Sequence, residues 1–286
     1  MARRPFLALF GADPALDHLH PYETSWLLPP VLLGALRAII AVYVFFCLIY
    51  IFCYYGTHDG DHYLIGQTFS YFTYLNFWGM AFYFAVAAFH SFAYAATGRS
   101  VMFEKLPRVF RGLHALFYSC ITTFPFLVLI VYWGVLYPGT WFKTWFEAWS
   151  NVSEHGLIGL YALLELFLAT TPTHPLINLA FLILILALYL SLAYLTHKTE
   201  GFYAYSFLDP GTHGQHSGKV AAYCFTILAA IIVIFLVTWV CIWLRQRLTG
   251  GRIKRARRDR TLIYSSNNNG NYNAQPDFIT KGPNEF

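Results

Sequence analysis

The chain has 286 residues, 57% hydrophobic and 20% aromatic but only 12% charged, with a mean hydropathy of +0.48. Globular chains average about 25% charged residues, so the composition excludes an ordinary soluble domain and points to an all-helical, polytopic membrane protein. The net charge of +5 comes without any aromatic-basic recognition module, so nucleic acid is not an expected partner.

Residues 1–36 carry several prolines and a mildly apolar stretch, Trp26 to Leu36, interrupted by Pro29-Pro30. This reads as a cytoplasmic or interfacial segment leading into the bilayer. Met1 to Phe10 is too short for the apolar core of a cleavable signal, so the first spanning helix is expected to serve as an uncleaved anchor. That helix is predicted over about 37–55, with Arg37 at the interface, and the polar turn Gly56 to His62 follows it. A second helix is predicted over about 68–96, unusually polar at its start. Thr73 and Asn76 lie three residues apart there and so share a face. A basic loop with Arg99, Lys105, Arg108 and Arg111 leads to a third helix over about 113–136. Pro125 interrupts it, with Thr122 and Thr123 placed to satisfy the freed backbone groups.

The segment 137–153 holds Trp141, Trp145 and Trp149 with Phe142 and Phe146, a composition that favours the headgroup region; it is expected to lie along the surface. A fourth, shorter helix is predicted over about 154–170. Thr171 to Pro175 form a turn, a fifth helix covers about 176–196, and a sixth about 219–244. The chain thus divides into a segment 1–36, a six-helix domain 37–244, and a tail 245–286 that is basic and then polar enough to be disordered. All Lys and Arg residues except Lys143, Lys198 and Lys219 fall on the side of the two termini, which the positive-inside rule makes cytoplasmic. All five cysteines lie inside apolar runs and form neither a disulfide framework nor a zinc spacing. The sequon at Asn151 and Ser153 sits close against the fourth helix, and its use is not expected.

Three groups of residues carry possible chemistry. Thr73 and His155 are both expected in the lumenal half of the bilayer, where a threonine needs a general base to become a nucleophile. In isolation such a threonine is more often packed or bonded to its own backbone. Glu165, expected near mid-membrane, is a functional candidate by default, or else a neutral group that shapes helix packing. The lumenal histidines His58, His62, His155, His197, His213 and His216 suggest a metal site, but no tight motif fixes a geometry, so neither metal nor another cofactor is expected.

These residues also carry a resemblance. Phe72-Thr73-Tyr74-Leu75-Asn76, the run from Asn151 through His155 to Glu165, and His197-x3-Gly201-x3-Tyr205-Ser-Phe207-Leu208-Asp209 together resemble the androgen-induced protein family, over roughly residues 37–244. That family includes the androgen-dependent regulator of tissue factor pathway inhibitor, and rolling-stone-like proteins look similar. Val152 departs from the pattern, standing where members often have a second histidine. The resemblance implies a six-span membrane threonine hydrolase that splits fatty acid esters of hydroxy fatty acids. Carried over, Thr73 would be the nucleophile and His155 its partner. In such a mechanism Asn76, Asn151 and His197 are the candidates to donate a hydrogen bond to the oxyanion, and Glu165 is a further supporting residue. The alternative is a non-enzymatic membrane adaptor, or a cell-fusion protein like some relatives, acting through a basic tail that binds anionic lipid. A third reading, a transporter or metal-handling protein, would make Glu165 the important residue. The endoplasmic reticulum and the plasma membrane both suit such a chain.

Overall fold

The fold is that of a computed structural model, which describes residues 6–59, 62–100 and 104–272, with side chains up to residue 250. The described residues are helical, apart from loops and one isolated bridge between Ser25 and Ala169. Five helices among them are long and apolar enough to cross a membrane: Pro30–Thr57, Phe72–Thr97, Arg108–Leu136, Ile177–Glu200 and Ser217–Gly250. Their outer faces carry exposed Ile39, Val42, Phe82, Phe89, Leu188 and Phe225, the surface expected of helices solvated by lipid.

Helix α1 (Pro30–Tyr54) starts earlier than expected, because Pro29 is extended and Pro30 fits the first helical turn, where no amide is needed. The second predicted helix starts about four residues later than expected, and a separate short helix precedes it. A short α2 (His62–Thr68) ends where the Thr68 hydroxyl donates to the Ile65 carbonyl at 2.6 Å, and α3 (Phe72–Thr97) begins after the extended Tyr71. Gly98, with φ of 67°, closes α3 in the left-handed region that glycine adopts without strain. Thr73 therefore lies in the first turn of a helix rather than five residues inside one.

The third span is broken by its proline. Helix α4 (Arg108–Ile121) stops at Thr122, and α5 (Phe124–Val131) restarts with Pro125 in its first turn. The Thr122 hydroxyl donates to the Tyr118 carbonyl at 2.6 Å, as a threonine beside a helix-breaking proline can.

The tryptophan-rich segment is only partly a loop. Thr144 and Glu147 form a capping box that starts helix α6 (Trp145–Val152). A wider π turn (Ser153–Leu157) then leads into α7 (Ile158–Leu168), making residues 145–168 one continuous helical run. This run lies antiparallel along α1. Tyr54 stacks on Phe146 at 3.6 Å, Tyr43 and Ser153 share a hydrogen bond of 2.8 Å, and Arg37 pairs with Glu165. Close approach on the other side needs Gly159, where a Cβ would come within 2.7 Å of Leu129.

Helix α8 (Ile177–Glu200) and helix α9 (Ser217–Tyr272) complete the order. The chain forms two compact units, divided after Arg245. Val44, Phe77, Met80, Phe84, Ile158 and Phe235 are fully enclosed and define the core of the first unit.

Candidate functional site

Thr73 and His155 line one cavity of about 450 Å³, together with Tyr55, Tyr74, Asn151, Glu154 and Tyr205. The wall is built unusually. Three π turns, Tyr55–Asp59, Tyr132–Leu136 and Ser153–Leu157, each contribute lining residues. A π turn is rare and locally widens a helix, which re-aims side chains and often accompanies functional sites. Here it delivers Glu154 and His155 to the cavity.

The His155 ring is held on two sides. Tyr132 stacks on it at 3.6 Å with 13° between the planes. Its Nδ1 lies 3.1 Å from the Asn151 carbonyl oxygen. A carbonyl only accepts, so Nδ1 carries the proton and Nε2 is the basic nitrogen. Asn151 has both ends of its side chain engaged: Oδ1 accepts from the Tyr132 hydroxyl at 2.5 Å, and Nδ2 donates to the Glu147 carbonyl at 2.9 Å. Among the described residues the Thr73 hydroxyl meets the Tyr205 phenol, and no hydrogen bond joins it to His155.

A second cavity, about 260 Å³ and almost wholly apolar, opens beside the first and is lined by Phe72, Val128, Leu186, Leu190, Cys224 and Ile227, among others. Thr73, Tyr132, Leu136 and Tyr205 line both. Thr73 thus stands where a polar chamber meets an apolar one.

The other anticipated site residues do not converge here. Asn76 is buried one turn into α3 with its Nδ2 lacking an acceptor, and it lines neither cavity. His197 stacks on Tyr203 at 3.7 Å, also outside both. Glu165 forms a bidentate pair with Arg37, at 2.9 and 2.5 Å, and accepts from the Tyr83 hydroxyl at 3.0 Å. Arg37 in turn donates to the Tyr22 carbonyl and the Ser91 hydroxyl, both at 2.7 Å. Arg37 is 1% exposed, enclosed by protein rather than open to water or headgroups. This pair lies about 16 Å along the helix from Glu154, with Ile158 and Ala162, both fully buried, in between.

Sequence reasoning passed over Glu154 and gave Tyr205 a place in the resemblance but no role. Glu154 is 4% exposed, interacts with the Tyr74 phenol, and has an oxygen, Oε1, without a partner. It was legible only as an acid at a helix entrance, a position normally solvated. Among the described residues no three His, Cys, Asp or Glu side chains come together to hold a metal ion; the side chains of His58 and His62 lie outside those described. The chain matches no family model, no curated protein and no solved structure.

Proposed function

We propose that the chain is a multi-pass membrane hydrolase of lipid esters, with Thr73 as nucleophile and His155 as general base. The observation that carries this reading is the shared cavity: two residues 82 positions apart line one chamber, and the threonine stands at the mouth of an apolar pocket fit for an acyl chain. The resemblance to the androgen-induced protein family supplies the same pair and suggests fatty acid esters of hydroxy fatty acids as substrates. Six spans with both termini cytoplasmic complete the reading, residues 145–168 being the sixth. Its support is the lysine and arginine distribution and the extent of that helical run along α1. The basic tail would then meet anionic lipid of the cytoplasmic leaflet.

In this mechanism the acyl chain occupies the apolar cavity and the alcohol portion the polar one. His155 Nε2 takes the Thr73 proton as Oγ1 attacks the carbonyl carbon, and the carbonyl electron pair moves to oxygen. Collapse of the adduct expels the alkoxide, which recovers that proton from His155. Water then attacks the acyl-threonine by the same route, yielding acid and restoring the Thr73 hydroxyl. The Asn151 carbonyl and the Tyr132 stack keep the imidazole in the tautomer and orientation this requires.

Labelling of the purified protein with a fluorophosphonate probe of serine and threonine hydrolases tests the reading. Wild type should label, while Thr73→Ala and His155→Ala, both folded, should lose at least about 100-fold in rate, as expected for a nucleophile and its base. A folded wild type that neither labels nor cleaves a long-chain ester would overturn the proposal in favour of a non-catalytic membrane adaptor.

A further inference from the structure

The loop between α8 and α9 brings a second hydroxyl to the candidate nucleophile. Tyr205 lines both cavities, and its phenol meets the Thr73 hydroxyl and the backbone of Phe72 and Thr73. Those amides belong to the first turn of α3, where the helix supplies no acceptor and the Tyr71 side chain caps nothing. The phenol oxygen therefore lies against the positive end of a 26-residue helix. Burial pushes the Tyr205 phenol up from its ordinary range, so the group keeps its proton at physiological pH.

We propose that Tyr205 is the oxyanion donor of the site, its phenol oxygen held by the first-turn amides of α3. The inference rests on the threonine-hydrolase reading. When Thr73 Oγ1 bonds to the ester carbon, the carbonyl π pair becomes a lone pair on oxygen, and the Thr73 proton passes to His155. Two oxygens on one tetrahedral carbon are closer together than a hydrogen-bond length. A phenol that meets Thr73 Oγ1 thus reaches the new oxyanion with a small swing of its O–H. The donated proton stays on Tyr205 throughout; only the hydrogen bond strengthens as charge develops, which is the differential binding that lowers a barrier. Asn151, with both ends of its side chain engaged, and His197, stacked outside the cavities, are not placed for this role.

Tyr205→Phe removes one oxygen and keeps the cavity wall. With a long-chain p-nitrophenyl ester and the full chain in detergent, kcat should fall about 100- to 1000-fold. KM should stay within about threefold and the melting temperature should stay unchanged. Acylation and deacylation should slow together, because the same oxyanion forms in each. Fluorinated tyrosine at position 205 supplies a variant that keeps ring and hydroxyl, and as the pH is raised its kcat should begin to fall earlier than that of wild type, because the more acidic phenol ionises sooner. Wild-type kcat in Tyr205→Phe beside an inactive Thr73→Ala would overturn this proposal and leave the hydrolase reading standing. A change in KM and melting temperature with kcat retained would also overturn it, as a packing role. Turnover by neither wild type nor variant would instead remove the hydrolase reading itself.

Discussion

Arg37 and Glu165 show how a charge buried among apolar helices can be structural. The carboxylate meets the guanidinium in two bonds and the Tyr83 hydroxyl in a third, while Arg37 also reaches Tyr22 and Ser91. Breaking such a pair by removing one partner leaves the other buried and uncompensated, which costs about 3–5 kcal/mol. Glu165→Gln should therefore lower the melting temperature in detergent while leaving the labelling rate of folded protein at Thr73 unchanged. The double variant Arg37→Met, Glu165→Leu should be more stable than either single change. A Glu165→Gln protein of normal stability and no labelling would assign Glu165 to the chemistry instead. The sequence made Glu165 conspicuous because a carboxyl in an apolar run is rare. Its partner was hidden 128 positions away, and Arg37 taken alone resembled an interfacial anchor. Glu154 was the reverse case: it is adjacent to His155 in the sequence, yet only packing shows that it is enclosed.

At the scale of helices, apolar periodicity located the elements but not their interruptions. The break between α2 and α3 and the π turn before α7 both bear directly on the site. One puts Thr73 in a first turn whose amides meet the Tyr205 phenol, and the other turns His155 inward. Neither is encoded by hydropathy, because a one-residue widening or an extended Tyr71 changes the path of the chain without changing its composition. The apolar cavity is likewise a property of several elements. Helix α5 supplies Val128, α8 supplies Leu186 and Leu190, and α9 supplies Cys224 and Ile227. If this cavity holds the acyl chain, Leu186→Trp should shorten it from the α8 side. The variant is expected to lose at least about tenfold in kcat/KM for long-chain esters, the order expected for a misfitted apolar pocket, and to keep activity on short-chain ones. Equal losses across chain lengths would place the acyl group elsewhere.

For the molecule as a whole, the number of crossings decides which side the site faces. Among the described residues five helices meet the length and hydropathy of a span, and five crossings would put the termini on opposite sides. Residues 145–168 fall outside those five, since Asn151, Glu154, His155 and Glu165 dilute an otherwise apolar run. Yet this run keeps company with α1 from Tyr54 against Phe146 to Arg37 against Glu165. Nineteen residues separate Phe146 from Glu165, a rise of about 28 Å, close to the roughly 30 Å of a bilayer core. If α1 crosses, a partner helix of the same extent occupies the same depth, and its polar residues are tolerated because they face protein. Glu165 has its ion pair, and Asn151, Glu154 and His155 face a chamber rather than lipid. Six crossings also put every cluster of Lys and Arg on one side, whereas five would divide the basic loop after α3 from the basic tail. Protease treatment of sealed vesicles carrying an epitope at each end distinguishes the two. The expected result is that both epitopes are cut when the cytoplasmic face is outward and both are protected when it is not. Cleavage of one alone would mean that residues 145–168 do not cross, and that the Thr73 chamber opens on the opposite side of the membrane from one terminus only.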